Sequence, residues 1–147
     1  MSSTTVKVNL VESGRAPEKK HAADACYDCY ARTPVTIRPG QRVKVPLGFR
    51  MSMEPGWEAV IRSRSGLSYT SGIAMANGVG TIDAGYRDEV CAIVVNLDSV
   101  KPFEIKRGDR VCQIGIREVP SVELELVEDF DVSDSDRGTG GFGSTGV

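Results

Sequence analysis

The last eleven residues, 137–147 (RGTGGFGSTGV), have the composition of a nucleotide-binding segment. Glycine allows successive peptide N–H groups to turn inward into an anion-binding nest. Arg137 can bind phosphate oxygens through two bonds, and Ser144 and Thr145 add hydroxyl donors. Phe142 has no local core to join and suits stacking on a nucleobase. The segment predicts a lid that closes on a nucleotide, and the alternative is a disordered glycine-rich terminus.

Residues 62–68 (RSRSGLS) form a second candidate, because arginines and serines precede a predicted short helix over Ser65–Ser71. Ser65 is expected to cap that helix. Amides at a helix start, serine hydroxyls and a guanidinium together make a phosphate site. The alternative, which the segment supports equally well, is a capped helix whose arginines lie in solvent.

Residues 77–89 (NGVGTIDAGYRDE) suggest the reacting centre. Gly78 and Gly80 allow a hairpin whose backbone approaches a ligand closely. The carboxylate of Asp83 could orient and deprotonate a water molecule, and the ring of Tyr86 could close one side of a sugar pocket. The alternative is a hairpin with a turn aspartate and a packing tyrosine.

Asp28 and Gln113 are polar residues among apolar neighbours. A carboxylate where a strand would bury it needs a metal, a partner or hydrogen-bond donors. Gln113 could donate to a phosphate, although satisfying a neighbouring strand is favoured from its segment alone. Cys26 and Cys29 form a C-x-x-C pair, but a closed zinc site needs two further ligands. Buried structural thiols are therefore the better interpretation of the cysteines.

These residues must be positioned by an all-β framework, because short alternating segments are separated by glycine and proline turns. The predicted strands cover residues 6–10, 35–37, 43–45, 48–53, 57–61, 91–96, 102–105, 110–116 and 122–127. The nearly continuous apolar run 91–96 is expected to be buried on both faces. The pattern predicts a barrel or sandwich, followed by an acidic tether over residues 128–136.

Length and charge narrow the classes of function. The chain has 147 residues, 40% of them hydrophobic and 26% charged, which suits one domain. A net charge of −2 argues against binding a nucleic acid polymer. No apolar run is long enough to cross a membrane, and the first residues lack a signal-peptide pattern. We therefore expect a cytoplasmic protein, or one inside the host cell if viral, with its four cysteines reduced.

Five stretches resemble, in order, the signature motifs of the trimeric dUTP diphosphatases (dUTPases). They are the segment around Asp28, residues 64–67 (RSGL), residues 80–87 (GTIDAGYR), residues 108–110 (GDR) and residues 137–146. The similarity spans nearly the whole chain, from about residue 6 to residue 146. It implies a jelly-roll-like β-barrel over residues 1–127, the tether over 128–136 and a flexible glycine-rich tail over 137–147. It also implies a homotrimer with active sites at subunit boundaries.

The resemblance implies hydrolysis of dUTP to dUMP and pyrophosphate, which limits uracil in DNA and supplies dUMP for thymidylate synthesis. Asp83 would activate the water that attacks the α-phosphate, and Tyr86 would lie under the deoxyribose. Mg²⁺ would be bound mainly by the substrate phosphates, with Asp28 reaching it through water. The implied substrate-binding residues are Arg64, Ser65, Gly66, Asn77, Gly80, Thr81, Ile82, Asp83, Tyr86, Gln113, Arg137, Phe142, Gly143, Ser144 and Thr145.

The sequence departs from the family pattern at three positions. Cys26 and Asp88 stand where glycine is common, and Cys29 replaces a usual leucine. If the glycine replaced by Asp88 had a positive φ, aspartate would be among the better substitutes, at a modest cost in strain. None of these changes removes a chemical group from the motifs.

Two other functions compete with dUTP hydrolysis. Related dCTP deaminases use a glutamate on the cytosine ring, whereas this motif carries Asp83 and the glycine-rich tail is intact. A non-catalytic regulator on the same scaffold is the other alternative. The sequence shows no large insertion that could serve as a docking arm, and the catalytic groups are present.

Overall fold

A computed structural model of the chain describes residues 3–129 and 131–146. Four positions of the predicted barrel, tether and tail, residues 1, 2, 130 and 147, lie outside the described residues. The strands are β1 (Lys7–Leu10), β2 (Tyr27–Tyr30), β3 (Val35–Ile37), β4 (Arg42–Pro46), β5 (Phe49–Ser52), β6 (Trp57–Arg62), β7 (Ile73–Met75), β8 (Gly80–Asp83), β9 (Cys91–Asn96), β10 (Phe103–Ile105) and β11 (Arg110–Glu118). One α-helix, α1 (Ser65–Ser71), and a 3-10 turn over Val132–Asp134 complete the regular structure of the described residues.

The strands form antiparallel sheets around one core. A four-stranded sheet has the order β2-β11-β6-β8, and a three-stranded sheet has the order β4-β9-β7. The pairs β1–β5 and β3–β10 stand beside them. Fully buried side chains from many strands fill the space between the sheets, among them Ile37, Phe49, Ile61, Ile105 and Ile114. The predicted all-β class is confirmed.

The prediction that β9 is buried on both faces is wrong. Ala92, Val94 and Asn96 are buried, whereas Ile93 between them is 40% exposed. The strand lies between β4 and β7, with antiparallel pairing on both edges. Antiparallel sheets commonly keep one face on the core and one face open, so an alternating burial results despite the continuous apolar sequence.

The predicted strand over residues 122–127 is absent from the structure. These residues have no regular secondary structure, and Val122, Leu124 and Leu126 are exposed. The alternating pattern is present, but a strand forms only where another strand accepts its backbone hydrogen bonds. Strand pairing in the four-stranded sheet ends at residue 118, in the pair Glu118–Trp57.

The predicted helix α1 is present, but its cap differs from the prediction. Ser65 is the first helical residue, and Arg64 is the N-cap with extended backbone and no capping side-chain bond. The helix ends at Gly72, whose φ of 65° gives a left-handed C-cap. In the described part of the chain, no helix has the length and apolar character that crossing a membrane requires.

Candidate active site

A cavity of about 240 Å³ lies where the four-stranded and three-stranded sheets meet. Its lining residues come from β6, β7, β8 and β9 and from the segments between them: Ile61, Met75, Asn77, Gly80, Thr81, Ile82, Asp83, Tyr86, Cys91 and Ile93. Six of these are residues that the sequence predicted to bind substrate. The structure therefore brings together the base-binding and sugar-binding groups of the prediction.

The predicted hairpin at this cavity does not form, because the two strands on either side of the turn, β7 and β8, do not pair with each other. β7 pairs with β9, whereas β8 pairs with β6, so the strands that flank the turn enter different sheets. Gly78 in the turn has a φ of 70°, and its N–H donates to the carbonyl of Met75 at 3.1 Å. Because the two strands diverge, residues of both sheets line the cavity beside the turn.

Asp83 ends β8 at the edge of the four-stranded sheet and is exposed. Its partner across the strand pair is Glu58 on β6. The carboxylate therefore stands at the mouth of a cavity whose wall includes the apolar residues Ile61, Met75 and Ile93. An exposed carboxylate in this place can accept a hydrogen bond from water and hold it beside a bound ligand.

Tyr86 is fixed at two points. Its backbone N–H donates to the carbonyl of Asp83 at 3.0 Å, and its hydroxyl donates to the carbonyl of Glu89 at 3.1 Å. Burial, followed by the nearby charge of Asp88, raises the pKa of Tyr86. The hydroxyl therefore stays protonated as a donor, while the residue as a whole remains 41% exposed.

Four residues of the cavity wall were not predicted from the sequence: Ile61, Met75, Cys91 and Ile93. One of them, Ile93, could have been found, because side chains alternate between the two faces of a strand. If Ala92 faces the core, Ile93 must face the open side. The Cys91 thiol lies 3.6 Å from the carbonyl oxygen of Glu89, and burial raises its pKa. Cys91 is therefore a protonated, half-buried wall residue.

A second group of predicted residues gathers around Asp28. Its two carboxylate oxygens lie 3.2 Å from Nε of Arg64 and 3.4 Å from Nη1 of Arg110. Arg64 also donates from Nη1 to the carbonyl of Arg110 at 3.3 Å. The expectation that this carboxylate needs a partner is confirmed. Arg110 was not among the predicted site residues, although the motif GDR contains it.

Gln113 lies between Asp28 and Arg62 in neighbouring strands. Its Nε2 donates to the carbonyl of Ser63 at 2.9 Å, and the hydroxyl of Ser63 accepts from the N–H of Met75 at 2.9 Å. These bonds join the centre of the four-stranded sheet to the loop before α1 and to the wall of the cavity. The phosphate-binding role of Gln113 stays a prediction.

Ser65 and Gly66 occupy the first turn of α1 and are exposed. A Cβ atom built on Gly66 would meet no atom within 4 Å, so the space over the helix start is open. The position is accessible to a ligand, and the predicted role of both residues stays a prediction.

The described tail residues do not line the cavity. Arg137 donates from Nε to the carbonyl of Gly140 at 2.8 Å, and Phe142 is fully exposed with a φ of 51°. Gly143 has a φ of 86°, and the N–H of Ser144 donates to the carbonyl of Gly141 at 3.0 Å. The roles of Arg137, Phe142, Gly143, Ser144 and Thr145, and the division into barrel, tether and tail, stay predictions.

Comparison with known proteins decides the family. A sequence model of the dUTPase family matches residues 12–146. The chain belongs to the dUTPase family. It is 39% identical to a deoxyuridine 5'-triphosphate nucleotidohydrolase of Mycolicibacterium vanbaalenii, over 99% of this chain and 97% of that protein. It is 42% identical to the Corynebacterium glutamicum protein of the same name, over 88% of this chain and 86% of that protein.

Solved dUTPase structures share the fold. A variant of the Staphylococcus bacteriophage 80alpha dUTPase with dUpNHpp superposes with a TM-score of 0.87 at 27% identity, covering 97% of this chain and 99% of the phage chain. A variant of the dUTPase from phage phi11 of S. aureus, described with a structural Mg(II) ion, gives 0.79 at 25% identity, over 86% and 98%. The predicted dUTPase fold is thereby confirmed.

At the predicted Mg²⁺ contact, the structure provides the carboxylate of Asp28, whose two oxygens are also paired with Arg64 and Arg110. Mg²⁺ keeps several waters and is usually bound by one or two carboxylates together with substrate phosphates. The Asp28 side chain is partly exposed, and the described ranges 3–129 and 131–146 hold no group of three or more His, Cys, Asp or Glu residues placed to hold a metal ion. This donor set suits a water-mediated contact with a phosphate-bound ion and not a cage made by the protein.

The prediction of buried thiols is confirmed for two of the four cysteines in this dUTPase-family chain and is wrong for the other two. Cys29 and Cys112 are buried and oppose each other on β2 and β11, whereas Cys26 and Cys91 are half-buried. Hydrogen bonding with Cys112, together with burial, raises the pKa of Cys29. The buried pair packs in the core as small apolar side chains do.

Proposed function

We propose that the protein is a dUTP diphosphatase, which hydrolyses dUTP at the α-phosphate to dUMP and pyrophosphate. One observation carries the proposal: six of the predicted substrate-binding residues line a single cavity in a chain of the dUTPase family. The relatives named deoxyuridine 5'-triphosphate nucleotidohydrolase support the same substrate.

The base would be read by the backbone of residues 77–82. A Cβ atom on Gly80 would stand 3.3 Å from the Cβ of Ile61 and 3.5 Å from the side-chain nitrogen of Asn77. Glycine therefore avoids crowding against these two side chains of the cavity wall. A fixed backbone would present the wrong hydrogen-bond pattern to cytosine, and a tight pocket would leave no space for the methyl group of thymine.

Asp83 would supply the base for the reaction. Its carboxylate would accept a proton from the water molecule that attacks the α-phosphorus, and pyrophosphate would leave in line with the attack. Tyr86 would pack against the sugar and exclude a ribose 2′-hydroxyl by contact. Both residues line the same cavity, which supports one reaction centre.

The phosphates would be held by local cations, because the chain as a whole carries a net charge of −2. Arg64, Ser65, Gly66 and Gln113 would bind them from the body of the protein. The tail would close over the substrate with Arg137 on the γ-phosphate and Phe142 on the uracil. Mg²⁺, when bound, supplies further charge neutralisation on the phosphate oxygens. Asp28 would orient Arg64 and contact the ion through water.

The homotrimer belongs to this proposal. Asp28 and Gln113 line a different cavity from Asp83, and Arg64 lines a third. A complete site would bring the sugar-binding cavity of one copy to the phosphate-binding groups of another. The exposed apolar residues Leu124 and Leu126 suit burial between copies.

Product release from dUTP, dCTP, dTTP and UTP, assayed side by side, tests the proposal. We expect pyrophosphate from dUTP and little from the other three. Ammonia release from dCTP without pyrophosphate from dUTP would favour the deaminase instead. The molar mass in solution, measured by sedimentation, tests the trimer, and a monomer that retains full activity would contradict shared sites.

A further inference from the structure

A half-buried ion pair stands behind the loop that carries Tyr86. Arg32 follows β2, and Glu89 precedes β9. Nε of Arg32 lies 2.6 Å from Oε1 of Glu89, and Nη2 lies 2.9 Å from Oε2. The backbone N–H of Gly48 donates to the same Oε1 at 3.0 Å. The Glu89 carboxylate thus receives three donors in a two-pronged arrangement that fixes its orientation.

Both partners stay charged at neutral pH. The side chains of Arg32 and Glu89 are 27% and 16% exposed. The hydrogen bond from Arg32 lowers the pKa of Glu89, with a further contribution from the N–H of Gly48. The pair is therefore more sheltered from solvent than the Arg15–Glu18 pair, whose side chains are 51% and 54% exposed.

Glu89 also makes the contact that holds the tyrosine. Its carbonyl oxygen accepts the hydrogen bond from the hydroxyl of Tyr86 at 3.1 Å. Its own N–H donates to Oδ1 of Asp88 at 2.7 Å. Asp88 does not have a positive φ, so the strain considered for this position does not arise. The neighbouring Val90 is buried, and its N–H donates to the carbonyl of Phe49 at 2.9 Å.

The loop between Asp83 and Val90 is otherwise open to solvent. Residues 84–88 are exposed or half-buried, and the loop ends in the core at Val90. The position of the Tyr86 hydroxyl is therefore set by the peptide of Glu89, and the Glu89 side chain is anchored by Arg32. A shift of the carboxylate would move the acceptor to which the ring is tied.

We infer that Arg32 and Glu89 form a positioning pair for Tyr86 and thereby set the discrimination between deoxyribose and ribose. The inference rests on the proposed function, because it assigns the sugar contact to Tyr86. It adds to that function two residues outside the five motifs. Arg32 and Glu89 are not catalytic residues, since they act through the tyrosine.

The ratio of kcat/KM for dUTP to kcat/KM for UTP tests the pair. In Arg32→Met and Glu89→Gln we expect this ratio to fall by about tenfold, because a ring displaced by a fraction of an ångström no longer excludes the 2′-hydroxyl. Arg32→Lys keeps the charge but loses the two-pronged bond, so it should give an intermediate ratio. Glu18→Gln, which removes the exposed Arg15–Glu18 pair, is the matched control and should leave the ratio unchanged.

Amide hydrogen exchange provides a readout that does not depend on activity. The N–H of Tyr86, bonded to the carbonyl of Asp83, should exchange faster in Arg32→Met and Glu89→Gln than in the unmodified protein and the control. Should either variant fail to fold, Tyr86→Phe is the alternative, because it removes the hydroxyl that donates to the carbonyl of Glu89. It should also lower the dUTP to UTP ratio.

Folded variants with an unchanged dUTP to UTP ratio would overturn the inference, whatever their stability. A lowered ratio together with faster exchange at Tyr86 supports it. Failure of the proposed function would be seen separately, because the unmodified protein would then release no pyrophosphate from dUTP before any variant is compared.

Discussion

Asp28 and Arg64 lie 36 residues apart in the sequence, yet Oδ1 of the aspartate is 3.2 Å from Nε of the arginine. β2 carries the aspartate, and the arginine is the N-cap of α1. Arg110 reaches the other carboxylate oxygen at 3.4 Å. The orientation of the arginine proposed to bind phosphate therefore depends on a carboxylate that is also proposed to contact Mg²⁺ through water.

Asp28→Asn should weaken the response to Mg²⁺. The amide keeps the shape but removes the charge that attracts both the arginines and the hydrated ion. We expect the Mg²⁺ concentration that gives half-maximal dUTP hydrolysis to rise by about tenfold, the size usual for outer-shell partners of a metal. Titration of initial rates with Mg²⁺ measures this change.

Asp24→Asn is the matched control, because Asp24 lines the same cavity as Asp28 but accepts from the backbone N–H of His21. It should leave the half-maximal concentration unchanged. Equal effects in both variants would indicate a general electrostatic influence and would contradict a specific role for Asp28.

Asp83→Asn should retain dUTP binding and lose at least about a hundredfold in turnover, the size usual for a general base. The substitution keeps the size of the side chain but removes its ability to accept a proton. Glu58→Gln, which changes the carboxylate opposite Asp83 in the strand pair, is the control and should have a much smaller effect. Single-turnover kinetics and equilibrium binding separate the two quantities, and near-normal turnover in Asp83→Asn would refute its assigned role.

Much of the framework was predictable, because alternation and turn residues act locally. The segments around Val35, Val43 and Trp57 became strands, and the helix starting at Ser65 formed over the predicted range. The gathering of Asn77, Asp83 and other predicted residues around one cavity also follows from their closeness in sequence.

The errors arose where burial or pairing depends on distant parts of the chain. A continuous apolar run does not reveal that β9 turns Ile93 away from the core. An alternating segment does not reveal that, among the described residues, Leu124 pairs with no strand. The Arg32–Glu89 ion pair joins residues 57 positions apart, and the sequence does not show that Glu89, at the end of the stretch 77–89, pairs with Arg32.

Glu89 should make stability depend on pH in acid. Its pKa in the folded protein is lowered by Arg32 and Gly48, so the stabilisation is present above the unfolded pKa of about 4.3 and is lost as the pH falls through the lower folded value. Glu89→Gln does not titrate at this position. In urea unfolding, we expect the variant to be less stable by about 1 kcal/mol at pH 7. The difference should shrink as the pH falls below about 4.3, and a difference that stays constant from pH 7 into this acid range would contradict the ion-pair explanation.

Gly14→Ala should strongly destabilise the fold. A Cβ atom on Gly14 would overlap the backbone carbonyl of Gly48, which cannot move without disturbing the N–H that donates to Glu89. We expect a loss of about 3 kcal/mol or more, as for overpacking against backbone. Gly40→Ala is the control, since a Cβ there meets nothing within 4 Å and only the φ of 72° is unfavourable. Gly40→Ala should lower the free energy of unfolding by about 1 kcal/mol. Chemical denaturation measures both variants, and an equal loss in Gly14→Ala and Gly40→Ala would show that the backbone moves to avoid the overlap with Gly48.

Removal of residues 137–147 should leave a folded protein with a severe loss of rate. The described tail residues make no contribution to the buried core, and Phe142 is fully exposed, so the barrel does not need them for stability. Without the proposed lid, Arg137 and Phe142 would no longer hold the triphosphate and the base in a reactive arrangement. We expect kcat/KM for dUTP to fall by about a hundredfold or more, with an unchanged circular dichroism spectrum and an unchanged number of subunits. An unfolded product would show that the tail is structural, and full activity would show that the substrate is enclosed without it.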